Sequence, residues 1–134
     1  MCHRRVLLAL ILLALVGAVD RAEAQPINPT VVEFDVNPDH YVSVFGSPIV
    51  ARYEVRFYAT PTSTTPIGQA VDLGKPTPVN DHVTVTSTTL TQALPSGQYA
   101  ARIVAVGPGG EAASDGLPFG RITAPTKPTA GVIR

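Results

Sequence analysis

The sequence predicts an all-β fold, an antiparallel seven-stranded β-sandwich, from three observations. After residue 24 no apolar pattern repeats with the helical period of 3.6 residues, and short runs rich in Val, Ile, Tyr and Thr alternate between apolar and polar positions. All 13 prolines lie in this part of the chain, where they separate the runs. Because no helix is predicted that would connect parallel strands, neighbouring strands are expected to pair antiparallel.

The first 24 residues are typical of a secretory signal peptide. Arg4 and Arg5 precede an almost wholly apolar run of 14 residues, 6–19, and Ala22-Glu23-Ala24 matches the small-x-small rule for cleavage before Gln25. A membrane-spanning helix needs about 20 apolar residues, so an uncleaved anchor is the weaker alternative. We therefore expect a secreted, periplasmic or cell-envelope protein that has no membrane span after cleavage.

The remaining 110 residues, 25–134, have the size of one domain. We expect residues 25–123 to form that domain and the tail 124–134 to be disordered. The only cysteine, Cys2, would leave with the signal peptide, so no intrachain disulfide is expected. Residues 25–134 contain seven basic and eight acidic residues, and the basic ones are not clustered. This argues against nucleic acid or an anionic membrane surface as a partner.

The first predicted strand is Val31–Val36, which alternates strictly. Val32, Phe34 and Val36 fall on one face. A proline-bounded lead-in, 25–29, precedes it and suits only an edge position, because proline cannot donate to a sheet. Asn37-Pro38-Asp39 predicts the turn that ends the strand.

The strongest strand signal covers residues 49–59. Tyr53, Val55 and Phe57 fall on one face and are expected to line the core. The other face is expected to meet water and carries Arg52, Glu54, Arg56 and Tyr58.

The later runs are less regular. A weak strand is predicted over 67–73, a run over 83–94, a strand that places Tyr99, Ala101, Ile103 and Ala105 on one side, and a last strand over 112–122. Leu90 is out of phase with Val83 and Val85, so a bulge or a break is expected there. Gly107–Gly110 predicts a tight turn, and Pro118 is expected to interrupt the last strand.

Two segments resemble the fibronectin type III family, and the resemblance runs from about Pro29 to Ile122. Tyr53 to Phe57, Tyr-x-Val-x-Phe, is similar to the C strand of that family. Leu94-Pro95-Ser96-Gly97-Gln98-Tyr99, followed by the strand 102–106, is similar to its E–F corner and F strand.

The resemblance implies a structural role for Tyr99, whose hydroxyl would bond back to nearby backbone as in a tyrosine corner. It also implies that the strands carrying Tyr53 and Tyr99 are neighbours. The chain departs from the family in having no tryptophan, so Phe34 would fill that core volume. The turn 107–110 contains no Arg-Gly-Asp, so integrin binding is not implied.

Two loops contain residue types that bind metals. Asn37-Pro38-Asp39-His40 and Asn80-Asp81-His82 each offer an amide, a carboxylate and an imidazole. Their spacing matches no metal-binding motif, and Asn and Asp are common turn residues. A metal-binding domain is therefore kept only as an alternative, and no cofactor or metal ligand is assigned.

No catalytic motif is present. The sequence has no Gly-x-Ser-x-Gly, no His-Glu-x-x-His and no cysteine after residue 24. The glycine-rich turn 107–110 lacks the strand-to-helix context of a phosphate-binding loop. We expect no enzymatic activity.

An interaction face is the favoured functional hypothesis. With Tyr53 and Tyr99 pointing inward, five residues would share one exposed patch on two neighbouring strands: Arg52, Glu54, Arg56, Tyr58 and Arg102. Arg and Tyr are enriched at interfaces, although a solvated sheet face with Glu–Arg pairs has the same composition. The loops 107–110 and 61–66 are further candidates. The sequence predicts an exported binding or adhesion-type module for a protein or glycan partner, or alternatively a passive structural accessory of an envelope or extracellular assembly.

Overall fold

The computed structural model describes residues 24–134, and the apolar run of the predicted signal peptide lies outside them. The described residues contain one 3-10 turn, Pro38–Tyr41, and nine strands: β1 (Val31–Asp35), β2 (Ser43–Val44), β3 (Ser47–Pro48), β4 (Arg52–Tyr58), β5 (Ile67–Gly74), β6 (His82–Thr86), β7 (Gly97–Gly107), β8 (Gly110–Ala113) and β9 (Leu117–Arg121). The predicted all-β class is confirmed.

The strands form a large sheet, a strand pair and a small hairpin. The large sheet has the order β5-β4-β7-β8, and β9 pairs with the first five residues of β7, from Gly97 to Ala101. β1 pairs with β6, and β2 with β3. All of these pairings are antiparallel, as predicted.

β8 and β9 follow one another along the same edge of β7. The break between them lies at residues 114–116, so the predicted interruption at Pro118 is wrong. The Ser114 hydroxyl accepts a hydrogen bond from the Ile103 amide at 3.0 Å, which occupies the β7 backbone where the strand pairing stops. Pro118 fits inside β9, opposite Ala100, because β9 is an edge strand and one side of its backbone needs no donor.

The core lies between the large sheet and the β1–β6 pair. Tyr53, Val55 and Phe57 are buried, as their alternation predicted. They pack with Val32 of β1, and further core side chains come from Leu90, Leu94, Ile103 and Phe119. Phe34 contacts Tyr53 with ring centroids 4.8 Å apart, so it occupies part of the core beside the central strand.

The run 83–94 is a strand followed by turns. β6 ends at Thr86, and amides of Leu90, Gln92 and Leu94 donate to carbonyls three residues earlier. These turns bring both leucines into the core although Leu90 is out of phase with β6. The predicted break is therefore found, with consecutive turns in place of a second strand.

Both ends of the described chain lie beside β9. Ile27 forms a parallel bridge to Gly120, in keeping with the edge position predicted for the lead-in. Residues 122–134 contain no helix or strand and are exposed. Within residues 24–134 there is no helix long and apolar enough to cross a membrane.

Candidate functional site

The structure brings the five residues of the predicted interaction face together. Arg52, Glu54, Arg56 and Tyr58 alternate along β4 with the core residues, and Arg102 lies directly opposite Arg56 on β7. The pairing of these strands therefore creates one polar surface on the side of the large sheet that faces away from the core.

Arg56 is the centre of a hydrogen-bond network on this surface. Its Nε donates to Glu54, and its two terminal nitrogens donate to the two carboxylate oxygens of Glu111 on β8, all at 2.6 Å. This forked geometry is the one in which Arg–carboxylate bonds are strong. The hydrogen bond from Arg56 lowers the pKa of Glu111, and the same bond raises the pKa of Arg56. The charged groups of this network are therefore paired with one another.

The expected exposure of this face is wrong for two of its residues. Glu54 is 7% exposed and Tyr58 is 5% exposed. The side chain of Arg56 covers Glu54, and Arg52 lies 3.7 Å away on the far side of the carboxylate. Of the four β4 residues, only Arg52 is well exposed. The face is therefore less available for binding than its alternation suggests.

Arg102 is held by the loop that follows β4. Its guanidinium lies 4.6 Å from the Tyr58 ring centroid, a cation–π distance, and donates to the Pro61 carbonyl at 2.8 Å. A Cβ on Gly116 would lie 2.6 Å from that carbonyl oxygen, so the loop packs directly on the segment between β8 and β9. Arg102, held in place by this loop, covers the Tyr58 ring, which explains the burial of Tyr58.

The Tyr99 hydroxyl donates to the Pro95 carbonyl oxygen at 2.8 Å. This bond joins the start of β7 to the turn before it, which is the kind of contact that a tyrosine corner makes. The Tyr99 ring packs against Phe119, with centroids 5.8 Å apart. Tyr99 thus has a structural position.

The two Asn-Asp-His loops are joined by a hydrogen bond from the Tyr41 hydroxyl to Asp81 at 2.7 Å. Asn37 accepts from the Asp39 amide and caps the 3-10 turn, while Asn80 and Asp81 have positive φ angles. Such angles are those of tight turns, for which Asn and Asp are suited. Among residues 24–134 no three His, Cys, Asp or Glu side chains are grouped closely enough to hold a metal ion.

The two histidines of these loops have different environments. His40 is buried and its Nδ1 lies 2.8 Å from the Tyr53 hydroxyl, and burial lowers its pKa. His82 is exposed and its Nδ1 lies 2.8 Å from Asp35, and this hydrogen bond raises its pKa. Each imidazole has a partner within the fold.

A cleft of about 660 Å³ lies at one end of the molecule, between the β2–β3 hairpin and the β7–β8 turn 107–110. Its walls include Val44, Phe45 and Ile49 on one side and the turn on the other, with Asp39 and Glu111 as its acidic residues. A Cβ on Gly107 would overlap the Ile49 carbonyl oxygen, so glycine is required where the turn meets this segment.

Phe45 is at the tip of the hairpin and is fully exposed. Phe45 and Gly46 both have positive φ, at 51° and 79°, in a two-residue loop, which is the geometry of a type I′ turn. A bulky residue rarely adopts this conformation, and Asn-Gly is the sequence that the turn prefers. The hairpin was not predicted, although Phe-Gly between two short apolar runs is a signal that could have indicated it.

No family model, no curated protein and no solved structure matches the chain.

Proposed function

We propose that this chain is an exported, non-catalytic module of fibronectin type III character that binds a protein partner through the cleft beside Phe45. One observation carries the choice of site. Five of the twelve large apolar side chains that are exposed in the described residues fall within 41–49. They are Tyr41, Val42, Val44, Phe45 and Ile49. An exposed apolar cluster of this kind marks an interaction site.

Two features support the family character. The large sheet and the β1–β6 pair face each other across one core. The Tyr99 hydroxyl reaches back to Pro95 at the end of a turn that enters a central strand. Both belong to an immunoglobulin-like β-sandwich. Neither His40 nor His82 lines the cleft. This supports a module without catalysis, because neither imidazole lies where it could act as a base on a molecule bound there.

The cleft favours a protein partner over a glycan. Its hairpin wall is mainly aliphatic and aromatic, with Val44, Phe45, Pro48 and Ile49. Sugars need many polar side chains around an aromatic platform, whereas an apolar core with a polar rim is typical of protein interfaces. Asp39 makes no side-chain ion pair within the described residues, so a basic side chain of the partner is expected beside it.

Phe45→Asn tests this proposal because it separates binding from folding. The change creates the preferred Asn-Gly turn and removes strain, so the free energy of unfolding should increase by about 0.5–1 kcal/mol. Affinity for a partner captured from envelope extract or culture fluid, then purified and measured by calorimetry, should fall at least about tenfold because an aromatic anchor is lost.

Two further variants make the result specific. Ile122→Asn changes an exposed apolar side chain at the opposite end of β7 and should leave the affinity unchanged. Arg52→Glu changes the well-exposed β4 residue of the interaction face that the sequence predicted. Loss of binding in Arg52→Glu alone would transfer the site to that face. Equal binding by all three variants would exclude the cleft beside Phe45 as the site, and the absence of a specific partner would favour the passive structural alternative.

A further inference from the structure

One edge of β1 has no neighbouring strand among residues 24–134. β1 pairs only with β6. The amides of Ser87 and Val36 donate to Thr30 and Asp81 across this pair. Because hydrogen-bonded positions alternate, the backbone amides and carbonyls of the even-numbered residues of β1 point toward β6. Val31, Glu33 and Asp35 therefore direct their amides and carbonyls to the unpaired edge.

Two cavities lie beside this edge. One cavity of about 130 Å³ lies between Val31–Glu33 and Leu117–Phe119, and another of about 230 Å³ lies between residues 34–37 and 112–114. Ile103 of the core lines both. The opening therefore extends along β1 on one side and along β8 and β9 on the other, and it reaches the core.

The N-terminal segment of the described chain lines the first cavity through Pro26 and Pro29 but does not pair with β1. Asn28 donates to the Gly120 carbonyl, and the Gly120 amide donates to Pro26, both at 2.9 Å. The segment is thus hydrogen-bonded to β9, and the β1 edge stays unpaired in the described part of the chain. A strand with an unpaired edge beside an apolar opening is a template for an added strand.

The C-terminal tail carries a segment with the complementary features. Val132 and Ile133 are exposed. They would lie on opposite faces of Thr129–Arg134 once this segment, which has a positive φ at Ala130, became extended. This segment has six residues, and β1 has five, so the lengths match. Pro125 and Pro128 favour an extended connection between β9 and this segment.

The charges of the two segments are opposite. Glu33 and Asp35 are exposed on the outer side of β1, with His82 between them on β6. The tail contains Lys127 and Arg134 and no acidic residue. A tail that added to β1 would bring its basic side chains beside these two carboxylates, which would favour the contact and select its partner.

We propose that β1 receives Thr129–Arg134 from a second copy of this chain as an added strand. The backbone of the tail pairs with Val31, Glu33 and Asp35, and one of Val132 and Ile133 enters the opening. The second cavity adjoins the cleft beside Phe45, because Asn37, Ala105 and Ala112 line both. The added strand would pair with the edge of β1 and not with the hairpin that carries Phe45, so the inference does not depend on the proposed partner binding.

The first test compares edge variants by light scattering during size-exclusion chromatography, with protein expressed from the full chain at about 10–200 µM. Glu33→Pro removes an amide on the unpaired edge and should abolish association while keeping the melting temperature near that of the parent. Thr84→Pro is the matched control, because the amide of Thr84 faces the other edge of the same pair. Thr84→Pro should still associate.

Changes in the tail should also reduce association, as Glu33→Pro does, and should leave the fold of the domain unchanged. Deletion of residues 129–134 should give monomers only, and Arg134→Glu should weaken the association and its dependence on salt. Phe45→Asn should associate like the parent, which separates this contact from the cleft. A parent chain that is monomeric throughout this range overturns the proposal.

A photo-reactive benzoylphenylalanine at position 133 identifies the site directly. We expect an adduct with the mass of two chains, linked to residues 31–35. An adduct of single-chain mass at the same residues would mean that the tail adds to its own body. A two-chain adduct at residues 41–49, or no adduct, would exclude β1 as the acceptor.

Discussion

On the outer face of the large sheet, Arg56 makes three hydrogen bonds to two carboxylates and its side chain is only 21% exposed. On the outer face of the β1–β6 pair, Asp35 makes one bond to His82 and its side chain is 83% exposed. Both faces arise from the same alternation of charged and apolar residues. The difference arises because Glu111 of β8 reaches Arg56 across β7, whereas the β1–β6 pair has no third strand to supply a further partner.

The same difference holds for the inner faces. Val55 of β4 lies between two neighbouring strands and is 1% exposed, whereas Val32 of β1 lies beside the unpaired edge and is 8% exposed. Both valines line the opening that reaches the core, and Val55 is the more deeply buried of the two. The large sheet is therefore closed around its central strand, and the β1–β6 pair is open on one side.

Matched valine truncations should give the largest difference between the two sheets. Val55→Ala should lower the free energy of unfolding by about 2.5 kcal/mol, because the surrounding side chains cannot collapse into the cavity. Val32→Ala should lower it by about 1 kcal/mol, since Val32 is less deeply buried and has a strand on one side only. Urea unfolding measures both. Equal losses would mean that the β1 edge is as well packed as the centre of the large sheet.

Arg56→Met should have the next largest effect. Because it leaves the Glu54 carboxylate buried without its main partner, stability should fall by about 2 kcal/mol. In the double variant Glu54→Leu/Arg56→Met no buried charge is left unpaired, so most of the loss should be recovered. Glu33→Gln on the open face is the control and should change stability by less than about 0.5 kcal/mol. A double variant less stable than Arg56→Met would contradict this account of the network.

The smallest expected effect is a difference in pH dependence between the two histidines. The bond to Asp35, with Glu33 nearby, raises the pKa of His82, so its stabilisation is complete below the unfolded value of about 6.5 and is lost as pH rises through the higher folded pKa. Burial lowers the pKa of His40, so the stability it supports is complete above about 6.5 and is lost as pH falls toward the lower folded pKa.

Thermal unfolding from about pH 8.5 to about pH 5.5 separates these contributions. The advantage of the parent over His82→Gln should grow as the pH falls, whereas its advantage over His40→Gln should shrink. Parallel profiles for the two variants would show that neither imidazole is coupled to the charges assigned to it.

Much of the β pattern was predictable because it depends on neighbours in sequence. The alternation at Tyr53, Val55 and Phe57 specifies which face is apolar, whatever the partner strand. The burial of Tyr58 was not predictable in this way, since it depends on the loop through Pro61 crossing to Gly116. The structure around Leu90 was predictable in part, because its change of phase indicated a break but not the turns that form there.

The candidate site was predictable only in part. The register that brings Arg102 opposite Arg56 agrees with the expected neighbouring strands. Glu111, which closes the network, lies 55 residues from Arg56 and carries no local signal of that role. The exposed Phe45 arises from a turn in an unfavoured conformation, which composition alone does not indicate.

By itself, the sequence determined the all-β class, most strand positions, the inward residues of β4 and β7 and the bond from the Tyr99 hydroxyl back to the preceding turn. These depend on a two-residue period and on local turn chemistry, which act along the chain. Only the tertiary structure decided that the Arg56 face is closed, that the hairpin and the turn 107–110 enclose a cleft, and that β1 has an open edge. Each of these depends on which distant segments meet, and the free energies of such contacts are set by packing in three dimensions.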